Sequence, residues 1–133
     1  LGTLEDETFS ADGVEIVIHG VIAHPGYAKG ILVNAIKIAS EIIEALPKDG
    51  WSPETTEKRQ GFVHPTDING LAEKATIRFI VRDFTEEGLL QHEARLKSIA
   101  ENVLKQYPGC SMEFHVKEQY RNMKKVLEQH PQI

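Results

Sequence analysis

The sequence predicts an α+β domain in which a four-stranded antiparallel sheet packs against two helices that lie on one of its faces. Strand-like alternation and helix-like apolar spacing follow each other along the chain in the order β-α-β-β-α-β. A chain of 133 residues with 41% hydrophobic content can bury one core but is short for two. Hairpins between adjacent strands and helical crossovers elsewhere give a two-layer sandwich.

The first strand and the first helix are predicted on either side of a turn that carries a histidine. Residues 14–19 form a β-branched run typical of a strand, and His24-Pro25-Gly26 follows it. The next segment has the i, i+3, i+4, i+7 spacing of one buried helical stripe. The stripe consists of Leu32, Ala35, Ile36, Ala39, Ile42, Ile43 and Leu46. His24 thus lies at a strand-to-helix junction, where ligand-binding groups are frequent, although His-Pro-Gly is also an ordinary turn sequence.

The middle of the chain predicts a pair of adjacent strands. After a polar loop at 47–58, longer than the usual connection of about 4 to 6 residues, residues 61–68 form a short strand. Asn69-Gly70 is predicted as a turn and 75–84 as a longer strand. Alternation in the longer strand gives the sheet one dry face and one polar face. The dry face receives Ile77, Phe79 and Val81, and the polar face receives Thr76, Arg78, Ile80 and Arg82.

The last helix and the last strand complete a ferredoxin-like order. Asp83 or Thr85 is expected to cap the helix, and Pro108-Gly109 to end it. Residues 111–117 alternate as the closing strand. The apolar stripe of the helix consists of Leu89, Leu96, Ile99, Ala100, Val103 and Tyr107, and the apolar side of the strand consists of Met112, Phe114 and Val116.

Composition narrows the classes of partner. Fifteen basic and twenty acidic residues give a net charge of -5 without segregation of the basic residues, which disfavours nucleic-acid binding. The single cysteine, Cys110, excludes an internal disulfide and a thiolate zinc site and fits a reducing cytoplasm. No apolar run approaches the roughly 18 residues of a membrane span, so no membrane partner is expected.

No complete catalytic or metal site is predicted from residue spacing. His24, His64, His92 and His115 fall on different elements, and no His-Glu-x-x-His is present. Glu86-Glu87 is interpreted as the acidic first turn of a helix, because adjacent helical residues diverge. Cys110 has no base that the sequence can assign to it. An RNA-recognition module is rejected because Phe79 falls on the core side of its strand.

Three anion-seeking side chains are left. His24 can donate to a carbonyl or oxyanion, and arginine matches a carboxylate bidentately. Arg78 is expected to be a solvated sheet residue with a cross-strand partner such as Glu113. For Arg82 the residues alone favour neither a structural nor a binding role.

Blocks distributed along nearly the whole chain resemble those of the peptidase T family. This family is the tripeptide aminopeptidase branch of the two-zinc exopeptidases related to glutamate carboxypeptidase. The blocks are Phe9-Ser10-Ala11, His24-Pro25-Gly26-Tyr27-Ala28-Lys29-Gly30, Val33-Asn34-Ala35, Ser52-Pro53-Glu54-Thr55-Thr56-Glu57, Gly61-Phe62, Phe79-Ile80-Val81-Arg82-Asp83-Phe84 and Tyr120-Arg121-Asn122-Met123.

The resemblance implies that the chain is the inserted lid and dimerisation domain of such an enzyme. It implies a lid at 9–119, with stubs of the catalytic domain at 1–8 and 120–133. Two zinc ions would be held by the catalytic domain and none by this chain. The resemblance also implies a cytoplasmic homodimer that acts on peptides, while the chain alone hydrolyses nothing.

The resemblance also assigns roles to four residues. His24 would stabilise the oxyanion in the active site of the other subunit, and Arg82 would bind the substrate carboxylate. Asn34 matches an Asn-Ala pair with a substrate-binding or a helix-capping role, and His64 would be a second substrate-facing residue. The alternative function is a free-standing regulatory module that binds a small molecule.

Overall fold

The described part of the chain forms six elements in the predicted order. The computed structural model describes residues 9–22, 32–48, 51 and 61–120. The elements are β1 (Ser10–His19), α1 (Ala35–Ala45), β2 (Phe62–Gly70), β3 (Lys74–Asp83), α2 (Glu86–Leu104) and β4 (Ser111–Tyr120). The predictions for 1–8, for 121–133 and for His24 fall outside the described residues.

The strands form one antiparallel sheet with the order β2-β3-β1-β4. β1 and β3 pair along their whole length without a register shift, from Ser10 opposite Asp83 to His19 opposite Lys74. β2 and β4 are the edge strands. The α+β prediction, with its four-stranded sheet and two helices, is confirmed.

The core lies between one face of the sheet and the two helices. Ile77, Phe79 and Val81 of β3 are all buried there, as the alternation predicts. Because Phe79 is 2% exposed, its ring is not available for stacking. The helices contribute Ala35, Ile38, Ala39 and Ile42 from α1 and Leu89, Leu96, Ala100 and Val103 from α2. Among the described residues, no helix is both long and apolar enough to cross a bilayer.

Two residues of the predicted α1 stripe are exposed instead. Leu32 precedes the helix, which begins at Ala35 after the cap residue Asn34, and its exposed fraction is 42%. Ile36 is 43% exposed, whereas Ile38 is fully buried. The buried face starts at Ala35, and one residue further along a helix turns the side chain by about 100° away from it.

Asn69 and Gly70 do not form the predicted turn but continue β2. They pair with Thr76 and Ala75, and the hairpin turns at residues 72 and 73, between Leu71 and Lys74. A Cβ on Gly70 would lie 2.7 Å from the Cβ of Ala75. The glycine is therefore required by a close approach between two strands, which the dipeptide signal does not distinguish from a turn.

The cap of α2 is Thr85, one of the two predicted residues. Its hydroxyl accepts from Gly88 N at 2.9 Å, while Asp83 Oδ1 accepts from Thr85 N at 3.0 Å. At the other end of the fold β4 continues to Tyr120, beyond the predicted strand. Val116, predicted on its apolar side, is 47% exposed.

The two faces of β3 differ in burial, so truncation of an isoleucine to alanine should lower the free energy of unfolding by different amounts on the two faces. We expect Ile77→Ala to lower the free energy of unfolding by about 2–5 kcal/mol, because Ile77 is fully buried. Ile80→Ala on the open face is the matched control, with a smaller loss since Ile80 is already partly exposed. Urea unfolding of both variants measures the difference, and equal losses would contradict the assignment of faces.

Candidate functional site

The face of the sheet opposite the helices is polar, and its residues align in rows across the strands. Register places Glu15 of β1 beside Arg78 of β3 and beside His115 of β4. A shallow depression of about 520 Å³ lies on this face and includes Glu15, Arg78, His115 and Lys117 in its lining. Arg82 is not part of that lining. The depression and the predicted carboxylate-binding residue are therefore separate features of one face.

Arg78 is neutralised by two carboxylates. Its Nε donates to Glu15 Oε2 and its Nη1 to Asp67 Oδ1, each at 3.1 Å. Asp67, and less strongly Glu15, raise the pKa of the Arg78 guanidinium. The expected structural role is thus supported, but the expected partner was wrong: Glu113 lies on β4, opposite Val17 of β1, and β1 separates it from Arg78.

Glu113 instead binds two histidines. His19 Nε2 lies 2.6 Å from Glu113 Oε2, and His115 Nε2 lies 2.9 Å from Glu113 Oε1. These hydrogen bonds, first that of His19 and then that of His115, lower the pKa of the Glu113 carboxyl from its usual 4.5. All three side chains are about half exposed.

Arg82 contacts aromatic rings. Its guanidinium carbon lies 4.8 Å from the centroid of the Phe9 ring and 5.7 Å from that of Phe62. Phe62 is its direct cross-strand partner on β2, and Phe9 packs edge-on against Phe84 at 6.4 Å. Within the residues that the structure describes, no carboxylate forms an ion pair with Arg82. An exposed guanidinium supported by rings keeps its charge available to an external anion.

Phe9 and Phe62 were not predicted as site residues. Both occur in the sequence blocks quoted above, and Phe62 alternates with the buried Val63, which places its ring on the open face. That alternation was the available signal for Phe62. The approach of Phe9 to Arg82 has no local signal.

His64 and Asn34 occupy different parts of the fold. His64 is half-buried on β2 opposite Ile80, which makes it a diagonal neighbour of Arg82 at about 7–8 Å between Cα atoms. Asn34 caps α1, and its Oδ1 accepts from Ile36 N at 2.8 Å. His64 therefore shares a patch with Arg82, whereas Asn34 lies at the opposite end of the sheet.

The two ends of the sheet are far apart. Arg82 pairs with Ala11, while the chain leaves β1 towards His24 after His19, at the end where Val21 and Val33 form a short bridge. The eight residue-to-residue steps from Ala11 to His19 span about 26 Å of strand. The structure thus separates the departure point of the His24 segment from Arg82.

Neither a metal cluster nor an activated thiol is found in the described ranges. No group of three or more His, Cys, Asp or Glu side chains there could hold a metal ion. Burial raises the pKa of the Cys110 thiol, whose Sγ lies 3.7 Å from Leu104 O. A raised thiol pKa lowers the thiolate fraction and thus the nucleophilicity of Cys110.

Comparison with known proteins decides the family. The family model described as peptidase dimerisation domain matches residues 7–108. The chain belongs to this peptidase dimerisation domain family. Relatives of the dimerisation domain include peptidase T of Serratia proteamaculans, at 40% identity over 134 residues, and peptidase T of Caldanaerobacter subterraneus, at 40% over 133 residues. Both alignments cover 100% of this chain, so the resemblance to peptidase T is confirmed.

The dimerisation domain spans about a third of the length of these relatives, 32% in each case. Solved structures share its fold. Aminopeptidase PepT from Bacillus cereus superposes with a TM-score of 0.71 at 21% identity, over 85% of this chain and 30% of that one. A dinuclear metal binding peptidase of the M20 family from Bacillus subtilis superposes with a TM-score of 0.60 at 22% identity, over 86% of this chain and 27% of that one.

The lowered pKa of Glu113 predicts an acid-sensitive contribution to stability. The folded carboxyl stays charged at pH values at which the unfolded one has begun to bind a proton, so the contribution is complete above about pH 4.5 and is lost as the pH falls through the depressed folded value. Urea unfolding from about pH 5 to about pH 3 measures it. The stability difference between the wild type and Glu113→Gln should shrink on acidification.

Glu101→Gln, an exposed substitution on α2, is the matched control for that titration. A difference between wild type and Glu113→Gln that grows as the pH falls would contradict the assigned direction.

Proposed function

We propose that this chain is the dimerisation and substrate-lid domain of a zinc-dependent tripeptide aminopeptidase of the peptidase T type. The observation that carries the proposal is the state of Arg82: its charge is exposed, supported by two rings, and unpaired with any carboxylate of the described residues. The relatives named peptidase T supply the enzyme class. The peptidase T alignments extend over the whole chain, which favours this proposal over a free-standing regulatory module.

Arg82 would bind the terminal carboxylate of the peptide. A guanidinium offers a planar fork of donors that fits both carboxylate oxygens, and the rings beneath it restrict where the fork points. Arg78 provides the contrast on the same face, because Glu15 and Asp67 already pair with its charge through Nε and Nη1. His64, a diagonal neighbour of Arg82, would contact the same end of the substrate.

His24 would donate a hydrogen bond to the oxyanion in the active site of the partner subunit. An extended tripeptide is about 10 Å long, whereas the His24 segment leaves the sheet about 26 Å from the end that carries Arg82. This separation supports an arrangement in which Arg82 contributes to the active site of its own subunit and His24 to the active site of the other subunit. Asn34 would support the His24 segment through the helix that it caps.

The remaining assignments concern the enzyme outside this domain. We place the lid at 9–119, with 1–8 and 120–133 leading to a cytoplasmic catalytic domain that holds two zinc ions. The described residues contain no ligand set for those ions, and no step proposed here depends on a metal in this chain. The chain alone is expected to be inactive.

Kinetics of the complete enzyme separate the two roles. We expect Arg82→Ala to lower kcat/KM by about 10- to 100-fold, mainly through KM, because a hydrogen-bonded charge pair contributes about 1.5–3 kcal/mol. His24→Ala should lower kcat by about 10²–10³-fold, the effect of removing one oxyanion donor. Arg78→Ala is the matched control, with little effect on either constant. An unchanged KM in Arg82→Ala would exclude carboxylate binding.

We propose that two copies associate through the edge strand β2 together with the start of α1, which lies beside the β2–β3 hairpin. An open sheet edge can pair with a second copy, and both β2 and β4 are edges. At the β2 end the large apolar residues Ile36, Ile68 and Leu71 are 43%, 52% and 63% exposed. Ala35 N donates to Ala72 O at 2.7 Å, which holds Ile36 and Leu71 near each other. On β4 the open face instead carries Glu113, His115 and Lys117.

Charge substitutions on the two edges test this interface. Ile68→Lys on β2 should shift the chain from dimer to monomer in sedimentation at a given concentration, because it buries a charge in an apolar contact. Val116→Lys, at 47% exposure on β4, is the matched control and should leave the dimer intact. Dissociation by Val116→Lys alone would assign the interface to β4 instead.

A further inference from the structure

Trp51 lies at the end of the sheet that carries Arg82. Its side chain is 4% exposed and belongs to the core cluster, although it follows a polar connection after α1. Its carbonyl oxygen accepts from Val63 N at 2.7 Å, at the start of β2. The guanidinium of Arg95 lies 4.7 Å from the centroid of its ring. Trp51 is therefore held by both β2 and α2.

The indole of Trp51 begins a chain of hydrogen bonds that ends at β3. Trp51 Nε1 donates to His92 Nδ1 at 2.8 Å, and His92 Nε2 lies 2.8 Å from Asp83 Oδ2. Because an indole N-H can only donate, Nδ1 must be the acceptor and Nε2 carries the proton that is donated to Asp83. Both nitrogens of His92 are therefore occupied, which excludes it as a general base and makes it a connector.

Asp83 is enclosed by the residues around it. Its Oδ1 accepts from Thr85 N, and its other oxygen accepts from His92. A Cβ on Gly61 would lie 2.5 Å from His92 Nε2 and 2.7 Å from Arg82 O. Only glycine fits at position 61, so the start of β2, the end of β3 and His92 meet without intervening side chains.

These hydrogen bonds and the Phe62–Arg82 strand pairing form a closed path of contacts that links the start of β2 to the end of β3. Trp51 is bonded to Val63, the neighbour of Phe62, and His92 is bonded to Asp83, the neighbour of Arg82. The Trp51–His92 hydrogen bond joins the two sides. A shift of the β2 end relative to the β3 end would therefore strain these hydrogen bonds, which restrains the backbone positions from which the Phe62 ring and the guanidinium project.

We propose that His92 is a positioning residue that, through Trp51 and Asp83, holds Arg82 over the Phe62 ring. His92 acts on Arg82 indirectly: its hydrogen bonds go to Trp51 and Asp83, and not to the aromatic rings or the guanidinium. The inference rests on the proposed function in one respect: Arg82 is taken as the group that binds the substrate carboxylate.

The test compares His92→Leu with His92→Gln. Leucine removes both hydrogen bonds, while the glutamine amide can still accept from an indole and donate to a carboxylate. His115→Leu, an exposed histidine on β4, controls for the loss of an imidazole. In NMR spectra of this chain, ring currents from Phe9 and Phe62 are expected to shift the Arg82 side-chain signals, because the guanidinium lies over both rings. Those signals should move towards their random-coil positions in His92→Leu and remain in His92→Gln and His115→Leu.

The same variants in the complete enzyme supply a second readout. His92→Leu should raise KM about three- to tenfold with kcat nearly unchanged, since a typical hydrogen bond contributes about that factor, and His92→Gln should restore KM. A loss of fold alone would not give a KM effect that the conservative variant rescues. If His92→Leu does not fold, Trp51→Phe keeps the aromatic ring and removes the indole N-H, and the same Arg82 signals are followed.

The outcomes distinguish the two proposals. Arg82 signals that stay in place in both His92→Leu and Trp51→Phe would overturn the positioning role. Signals that move in His92→Leu while KM is unchanged would support positioning and overturn the substrate-binding role of Arg82.

Discussion

The unbroken antiparallel pairing of β1 with β3 is the constraint on which the rest of the structure depends. It runs from Ser10 opposite Asp83 to His19 opposite Lys74. A slip of one residue would exchange the two faces of a strand and expose Ile77 and Phe79 while burying arginine. The register therefore fixes the core, the polar open face and the distance between the two ends of the sheet at once.

Cross-strand neighbours give two arginines of one strand different roles. Arg78 lies in a row with Glu15 and Asp67, and its charge is satisfied within the fold. Arg82 lies four residues further along β3. Its cross-strand neighbours there are Ala11 and Phe62, which supply no carboxylate. The same residue type on the same face thus forms ion pairs in one row, whereas in the other it contacts aromatic rings and has no carboxylate partner among the described residues.

Sequence reasoning was strongest where the signal is local and periodic. Alternation in β3 predicted the burial of Ile77, Phe79 and Val81, and the stripe of α2 predicted that of Leu89 and Leu96. It was wrong at Asn69-Gly70, because a glycine needed for a close strand approach has the same sequence signal as one needed for a turn.

Contacts between distant residues could not be predicted from local patterns. The partners of Arg78 depend on strand order and on a register shift between Pro65 and Asp67, which no local pattern encodes. The Trp51–His92 hydrogen bond joins residues 41 positions apart. For the same reason the candidate residues were predicted one by one, whereas the aromatic rings around Arg82 and the distance between the two ends of the sheet became visible only in the fold.

The central claim is that each active centre combines Arg82 of its own subunit with His24 of the partner. Mixed dimers of the complete enzyme, formed from His24→Ala and Arg82→Ala subunits, test it most directly through their tripeptidase activity. The account predicts one intact centre in every mixed dimer, because the Arg82→Ala subunit donates its His24 to a partner that retains Arg82, and hence half the wild-type activity per mixed dimer. Mixed dimers as inactive as the parent variants would contradict the account, since every centre would then lack one of the two groups.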